Sequence, residues 1–391
     1  MPDVEGAALR DRVAIAGIGA TELSKDSGVT TLTLACRAIL AACADAGLPP
    51  EELDGIATFR VGDSVLPAIL AQTLGLRDLH YYVDQFGGGS VSHSIIGQAA
   101  LAVHAGLAKH VVCYRALNAR SEFRMGGIGR PLVDAVETQY QAPFGYFTPP
   151  QQFAMAARAH MARYGTTEAQ LGQVAVTQRT HAVENPRARM RAPITLDDYY
   201  ASRPVVLPFR LLDCCLETDG AVAVLVTSAE RARDLAKTPV LVSGAAWGSG
   251  HTLYSNEQPD TTRTAAADMA PRLWSMAGLG PHDVDVAQLY DCFTYSVIVQ
   301  LEDYGFCTKG EGGPFVESGA TALGGAIPVN THGGFLSEGY VHGMNHVYEA
   351  VSQLRHEAGA RQVAGAEVAL STAQPGYVSG NCSALVLRRD A

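Results

Sequence analysis

Two short apolar runs that end in glycine divide the chain into two series of strands and helices. Arg12 to Gly19 and Pro239 to Ala245 each have the composition of a buried strand that leaves through a turn. After each run, strand-like and helix-like segments alternate over a similar length. A pattern that restarts in this way indicates an internal duplication. We therefore expect an α/β fold in which two packed sheets share a central layer of helices.

Composition excludes several classes of protein. The chain has 391 residues, of which 47% are hydrophobic, so it can form two cores. No apolar run reaches the roughly 18 residues that a membrane span needs, and the first residues lack the features of a secretion signal. A net charge of −10 argues against nucleic acid as the main partner. We expect a soluble cytoplasmic protein without a membrane or nucleic-acid partner.

The cysteines do not form a recognisable metal or disulfide pattern. The chain has eight, and none of them forms a C-x-x-C pair. This scatter is typical of buried free thiols in a reducing compartment. We predict no metal site.

Three glycine-rich loops and one strand end stand out as candidate site elements. The loops are 87–89, 333–343 and 374–383, and glycine at that density lets backbone approach a ligand closely. In the second loop Tyr340 directly follows Gly339. A strand predicted to end at Leu289 places Tyr290 and Asp291 at its tip. These four segments are the expected walls of one cleft.

The loops resemble those of thiolases, with the catalytic side chains replaced. The thiolase loop Gly-Gly-x-x-x-x-Gly-His-Pro matches 333–341, with Tyr340 at the histidine position. Gly87 occupies the position of the nucleophilic cysteine. The motif His-Asp-Cys-Phe of sterol-carrier thiolases becomes Tyr290-Asp291-Cys292-Phe293. The Cys-x-Gly order of the last loop is absent around Cys382, which we interpret as the start of the final strand.

The resemblance covers nearly the whole chain, and residues 153–228 are similar to thiolase-like lipid-transfer proteins. It implies the thiolase fold, in which duplicated βαβαβαββ halves form five layers in the order αβαβα. We expect the first half at 1–237, with a loop excursion at about 117–150 and a helical segment at 151–210. The second half is expected at 238–391.

The substitutions exclude thiolase chemistry and leave another reaction open. Claisen condensation needs a thiolate and a base, and neither stands in its usual place. Retro-aldol cleavage of a β-hydroxyacyl-CoA needs only a base, a site that stabilises the enolate, and an acid. We predict Tyr290 as the base and Tyr340 as the group that stabilises the enolate or protonates it. Both roles require the site to lower the phenol pKa from about 10.

The remaining predicted site residues bind the substrate or the developing oxyanion, and which tyrosine is acid and which is base stays open. They are Gly87, Gly88, Gly89, Asp291, Gly339, His342 and Gly380.

The pattern is also similar to the steroid side-chain aldolases of the thiolase superfamily. The resemblance implies cleavage of a 17-hydroxy steroid carboxyl-CoA to a 17-ketosteroid and propionyl-CoA during steroid degradation. Coenzyme A enters only as part of the substrate, with no cofactor bound by the chain itself. The resemblance also implies a homodimer that forms a heterotetramer with a DUF35 protein, which has a zinc ribbon and an OB fold. Two alternatives stay open: an acyl-CoA acyltransferase, and an inactive acyl-CoA-binding or scaffold subunit.

Overall fold

The computed structural model describes residues 9–122, 124, 136–146, 148–249, 259–377 and 380–390. Residues 123, 125–135 and 147 of the excursion predicted at 117–150 lie outside the described residues. Residues 378 and 379 of the loop before the last strand also lie outside them.

Eleven strands and thirteen helices are defined within the described ranges. The strands are β1 (Val13–Ala20), β2 (Gly55–Arg60), β3 (Tyr81–Phe86), β4 (His110–Asn118), β5 (Pro204–Val206), β6 (Phe209–Arg210), β7 (Asp219–Ser228), β8 (Val240–Ser249), β9 (Val286–Gln288), β10 (Val368–Thr372) and β11 (Asn381–Arg389). The helices are α1 (Thr31–Ala46), α2 (Pro67–Thr73), α3 (Ser92–His104), α4 (Val136–Gln141), α5 (Pro149–Tyr164), α6 (Glu168–Val183), α7 (Leu196–Ala201), α8 (Ala229–Ala232), α9 (Ala265–Ala277), α10 (Thr294–Asp303), α11 (Gly312–Glu317), α12 (Gly334–Ser337) and α13 (Met344–Leu354).

Strand order repeats in the two halves of the chain. From the centre of the large sheet outward, the first half has the order β1-β7-β4-β2-β3 and the second half has the order β8-β11-β10-β9. A parallel bridge between Ala287 and Val329 extends the second half in the same way. In both halves the inner pairs of strands are antiparallel and the outer pairs are parallel. The predicted duplication is therefore confirmed, whereas the exact boundary at 237/238 stays a prediction.

The two half-sheets enclose a shared layer of helices. A short antiparallel pairing of β1 with β8, at Ala14–Leu241 and Ile15–Val240, joins the half-sheets into one nine-stranded sheet. Helices α3 and α13 pack against strands of both halves, while α1 covers the outer face of the first half and α9 that of the second. The expected five layers result. None of the helices described is both long and apolar enough to cross a bilayer.

Small residues let helix α1 lie directly on strand β1. The helix begins at the cap residue Thr30, whose side chain accepts the Thr33 N–H, and ends at Gly47 in the left-handed conformation. A Cβ atom at Gly19 of β1 would overlap the carbonyl oxygen of Ala38. Glycine at this position therefore allows a close approach of helix to strand, which buries the alanine face of α1.

A buried arginine after α13 ties the second half to the first. Arg355 Nη1 lies 2.7 Å from Asp45 Oδ2 at the end of α1, and Nη2 donates to the carbonyl oxygen of Ala16 in β1 at 2.7 Å. Its Nε donates to the carbonyl oxygen of Thr238 at 3.0 Å. The arginine side chain is fully buried. The contacts to Asp45 and Ala16 cross from the second half of the duplication to the first.

Substitution of this arginine should weaken the whole fold. Arg355→Met should lower the free energy of unfolding by about 3 kcal/mol, because it removes the buried cation that pairs with Asp45 and the donor of two carbonyl groups. Urea unfolding followed by circular dichroism measures the change. The matched control is Arg233→Met, which removes an exposed ion pair with Asp390 and should cost far less. Equal losses in the two variants would contradict this interpretation.

Candidate active site

Tyr290 is held at the tip of β9 by three polar side chains. Its N–H donates to Thr372 Oγ1 at 3.0 Å. Its carbonyl oxygen accepts hydrogen bonds from Ser296 Oγ at 2.9 Å and from Gln300 Nε2 at 2.8 Å. All three partners are buried. These hydrogen bonds anchor the backbone of Tyr290 to β10 and α10.

Tyr340 lies on the loop between α12 and α13, which two other residues fix. Thr218 brackets the tyrosine: its hydroxyl accepts the Tyr340 N–H at 2.8 Å and donates to the Tyr340 carbonyl oxygen at 3.1 Å. The buried carboxylate of Asp291 accepts the N–H groups of Phe335 at 3.0 Å and Leu336 at 3.2 Å, which positions α12. Asp291 therefore holds α12, the segment that leads into the Tyr340 loop, through its backbone.

The two tyrosines meet at their hydroxyl groups. Tyr290 Oη and Tyr340 Oη lie 2.6 Å apart, a short hydrogen bond in which either group can donate. The ring of Phe335 packs edge-on against both rings, with centroids at 4.7 and 4.8 Å. Tyr290 is 1% exposed, whereas Tyr340 is only partly buried. The predicted convergence of the strand tip and the glycine loop is present in this geometry.

Gly89 completes the enclosure of the tyrosine pair. A Cβ atom at position 89 would overlap the hydroxyl group and ring of Tyr290. The Gly89 carbonyl oxygen accepts the N–H of Gln374, so the third glycine-rich loop starts from the same turn. Only glycine allows Tyr290 to lie this close to the backbone.

Burial keeps both phenols protonated. Burial, followed by the neighbouring Tyr340, raises the pKa of Tyr290 well above its usual value. Burial, followed by the nearby Cys215 and Cys292, also raises the pKa of Tyr340 well above its usual value. The expectation that the site lowers the phenol pKa is therefore wrong, because desolvation disfavours the phenolate. Neither tyrosine is a free phenolate at neutral pH.

His342 stands next to the pair as a neutral imidazole. Its ring packs edge-on against the Tyr340 ring, with centroids 4.8 Å apart. Arg115 donates to His342 Nδ1 from Nε at 3.1 Å and from Nη2 at 2.9 Å. Burial, then the Arg115 charge, lowers the pKa of His342 to about 3. A Cβ atom at Gly88 would lie 4.0 Å from His342 Nε2, so this nitrogen faces the first glycine loop.

The other predicted site residues do not all lie near the tyrosine pair. Gly87 follows β3 and donates its N–H to the carbonyl oxygen of Arg60 at 3.2 Å. Gly339 directly precedes Tyr340. Gly380 donates its N–H to the carbonyl oxygen of Gly376 at 2.9 Å, and within the described ranges no hydrogen bond joins it to the tyrosine pair. The structure thus brings together the first two glycine loops, while Gly380 belongs to the base of the third.

Ser92 does not have the arrangement of a nucleophile. Ser92 Oγ donates to the carbonyl oxygen of Gly89 at 3.1 Å and lies 2.9 Å from His93 Nδ1, and Ser92 is fully buried. His93 Nε2 in turn lies 2.7 Å from Ser371 Oγ. Burial lowers the pKa of His93 well below its usual value. This chain of hydrogen bonds ties α3 to β10 rather than activating a hydroxyl group.

The thiols around the site are protonated. Burial, with smaller contributions from neighbouring cysteines and carboxylates, raises the pKa values of Cys215 and Cys292 well above the usual thiol range. Burial also raises the pKa of Cys382 to about 12. A thiol becomes a strong nucleophile only as the thiolate. In the part of the chain that is described, no three His, Cys, Asp or Glu side chains are grouped as ligands for a metal ion.

Sequence reasoning missed Arg115, Asp63 and Thr218. Arg115 is the one arginine or lysine in β4, whose residues are all buried. A charge in such a strand signals a buried partner, because an unpaired charge there would be costly. The partner itself could not be found, since Asp63 lies in a loop with no motif.

The chain is similar in sequence to proteins of known function. Residues 246–389 match the family model described as thiolase C-terminal domain-like. The chain is 43% identical over 378 residues to the 17-hydroxy-3-oxo-4-pregnene-20-carboxyl-CoA lyase of Mycobacterium tuberculosis, covering 94% of this chain and 97% of that protein. It is 46% identical over 352 residues to the steroid side-chain-cleaving aldolase of Thermomonospora curvata, covering 88% of this chain and 90% of the relative.

Solved structures give the same result. The Ltp2-ChsH2(DUF35) aldolase matches with a TM-score of 0.92 and 43% identity, over 98% of this chain and 99% of that one. Human mitochondrial 3-ketoacyl-CoA thiolase matches with a TM-score of 0.72 at 16% identity, over 98% of this chain and 100% of that one, which is a likeness of fold.

Adding one methyl group should separate the tyrosine hydroxyls. Gly89→Ala should displace Tyr290 and break its hydrogen bond to Tyr340, at an overpacking cost of about 1–3 kcal/mol. A crystal structure of the variant and its urea unfolding curve measure both effects. The matched control is Gly88→Ala, where a Cβ atom meets ordinary contact distances. An unchanged separation of the tyrosine hydroxyls in Gly89→Ala would contradict the prediction.

Proposed function

The chain belongs to the steroid side-chain-cleaving aldolases of the thiolase superfamily, and from this membership we propose that it cleaves a steroid side chain attached to coenzyme A. The substrate class is a β-hydroxyacyl-CoA whose hydroxyl group is on a steroid ring carbon. The name of the Mycobacterium tuberculosis relative points to 17-hydroxy-3-oxo-4-pregnene-20-carboxyl-CoA as the substrate. Its products would be a 17-ketosteroid and propionyl-CoA.

The hydrogen-bonded tyrosine pair is the single observation that carries the mechanism. With Tyr290 Oη and Tyr340 Oη 2.6 Å apart and both phenols protonated, the pair can relay a proton without forming a free phenolate. The substrate hydroxyl gives its proton to one phenol oxygen as that phenol donates to its neighbour. General acid–base catalysis needs groups within this distance of each other.

The relay balances the retro-aldol reaction. The substrate O–H bond breaks, and its electrons form the second carbon–oxygen bond of the ketone as the Cα–Cβ bond breaks. The electron pair of the Cα–Cβ bond moves towards the thioester to form the enolate. The second phenol delivers its proton to Cα, and the proton received through the relay restores it. We assign Tyr290 to the hydroxyl side and Tyr340 to the enolate side, because Tyr340 is the more exposed of the two.

Neutral donors beside the pair would stabilise the enolate oxygen. His342 Nε2 faces Gly88, and the turn at Gly89 leads directly into helix α3. Backbone N–H groups at the start of a helix, together with an imidazole N–H, are suited to an oxyanion. We therefore propose Gly88, Gly89 and His342 as the groups around the thioester oxygen, with Gly87 and Gly339 as backbone spacers.

Acyl transfer has less support. It needs a nucleophile that holds the acyl group, and Gly87 offers no side chain at the position where thiolases have cysteine. The nearby thiols are protonated, and Ser92 is buried in a hydrogen-bond chain. An inactive scaffold would not need the short hydrogen bond between the two tyrosine hydroxyls.

We propose that two copies of this chain form a dimer and that each copy binds a DUF35 protein. The DUF35 partner is supported by the matching structure, whose name pairs Ltp2 with ChsH2(DUF35).

One incubation distinguishes the three functions. The full chain is mixed with 17-hydroxy-3-oxo-4-pregnene-20-carboxyl-CoA, with and without a co-expressed DUF35 protein, in D₂O buffer. Release of the 17-ketosteroid with propionyl-CoA that carries one deuterium at Cα supports the aldolase. A stable acyl adduct in the intact-protein mass spectrum would support acyl transfer and overturn the aldolase. Binding without product would leave a scaffold.

Removal of either tyrosine hydroxyl should slow cleavage strongly. Tyr290→Phe and Tyr340→Phe should each lower kcat by about 10²–10⁴-fold, the usual contribution of a general acid or base. Phenylalanine keeps the ring that packs on Phe335, so binding of acyl-CoA and thermal stability should change little. The matched control is Tyr295→Phe, which removes a hydroxyl from a second buried pair, with Tyr377. Near wild-type turnover by either site variant would remove that residue from the mechanism.

A further inference from the structure

Arg115 is a charged side chain in a strand that is otherwise suited to the core. All nine residues of β4 are buried, and the Arg115 side chain is 0% exposed. A guanidinium group at this depth requires acceptors on several sides. Its acceptors therefore show what the arginine does.

The guanidinium group reaches three acceptors. Nη1 donates to the carbonyl oxygen of Phe59 at 2.9 Å, and Nη2 donates to the buried carboxylate of Asp63. Nε and Nη2 also approach Nδ1 of His342, at 3.1 and 2.9 Å. Arg115 and His342 are 227 positions apart in the chain. The arginine thus connects the loop after β2 to the loop that holds Tyr340.

These contacts determine where the proton of His342 lies. Arginine has only donors, so the Nδ1 atom that faces it must present its lone pair. A neutral imidazole with Nδ1 unprotonated has its proton on Nε2. The ring has little freedom to turn, because His342 is buried, has a φ of +50° and packs edge-on against Tyr340. The Nε2–H group of His342 therefore lies on the side of the ring that faces Gly88.

We propose that Arg115 is a positioning residue that holds His342 in the Nε2–H tautomer, so that the imidazole donates a hydrogen bond to the thioester oxygen of the substrate. This inference rests on the proposed retro-aldol function. The carboxylate of Asp63 neutralises the positive charge of Arg115, so the buried site contains no unpaired cation. The opposite tautomer would aim a lone pair at the developing enolate oxygen and repel it.

Asp63 explains why the site needs the arginine. A carboxylate close to an imidazole ordinarily favours a proton on the nitrogen that faces it. Without Arg115, the Asp63 charge would act on His342 alone and would favour Nδ1–H or the imidazolium. Two further titratable groups lie near His342, namely Tyr340 on its own loop and His93 of α3 behind Gly343. Both are uncharged at neutral pH.

The first test measures the tautomer in the wild-type protein. The full chain is labelled with ¹⁵N-histidine, and the His342 signals are identified by their loss in His342→Gln. Long-range proton–nitrogen correlation at pH 7 should show protonated Nε2 and unprotonated Nδ1. A protonated Nδ1 would overturn the inference, whether or not the protein cleaves a steroid.

The second test uses the pH dependence of kcat with 17-hydroxy-3-oxo-4-pregnene-20-carboxyl-CoA. Arg115→Met should lower kcat at pH 8 by about 10²-fold, the usual effect of losing one oxyanion donor. Burial lowers the pKa of His342 most and remains in the variant, but removal of the Arg115 charge, which also lowers this pKa, leaves Asp63 to raise it. Falling pH should then form the imidazolium, restore the Nε2–H donor and recover part of the rate near pH 5.5.

A double variant controls for folding and for charge. Arg115→Met with Asp63→Asn removes the unpaired buried carboxylate, and it should have low kcat at both pH values, since no charge then promotes protonation of His342. Recovery at low pH in the single variant alone supports the inference. Wild-type kcat in the single variant, or equal pH dependence in the two variants, would overturn it. Absence of cleavage by the wild type would refute the proposed function instead, and the tautomer measurement would still decide the role of Arg115.

Discussion

The hydroxyl group of Tyr290 lies against a backbone that has no room for a side chain, and the site depends on this contact. Gly89 supplies that backbone, at the turn between β3 and α3. Because the tyrosine comes from the second half of the chain and the glycine from the first, the contact joins the two halves at the site. It also sets the depth of the Tyr290 hydroxyl and therefore the place where Tyr340 can meet it at 2.6 Å.

Burial gives the site its chemical character. It raises the pKa values of Tyr290 and Tyr340 and lowers the pKa of His342, so all three groups are neutral near pH 7. A low local dielectric strengthens hydrogen bonds between neutral groups and penalises any unpaired charge. Such a site favours proton relay over a standing base. The buried Asp291 is consistent with this, because its carboxylate is used on backbone N–H groups of α12.

This chain has the thiolase fold but different side chains at the site. This chain and human mitochondrial 3-ketoacyl-CoA thiolase share a fold, since the two match over 98% of the chain at only 16% identity. By the resemblance of the motifs, Gly87 stands where thiolases have the cysteine that carries the acyl group, and Tyr290 and Tyr340 stand at histidine positions, so that phenol replaces imidazole. A phenol is a weaker base than imidazole but a good relay when paired. The same cleft geometry can therefore serve bond cleavage without an acyl-enzyme.

The sequence by itself determined the duplication, the glycine turns and the two tyrosines, because strand and helix periods and turn residues are local signals. It also placed Gly89, Tyr290 and Tyr340 in one cleft through the resemblance of their motifs. Only the tertiary structure decided the direction of the phenol pKa shifts, the supporting use of Asp291 and the pairing of Arg115 with His342. These properties depend on burial and on contacts between residues as far as 227 positions apart, for which neighbouring residues in the chain provide no signal.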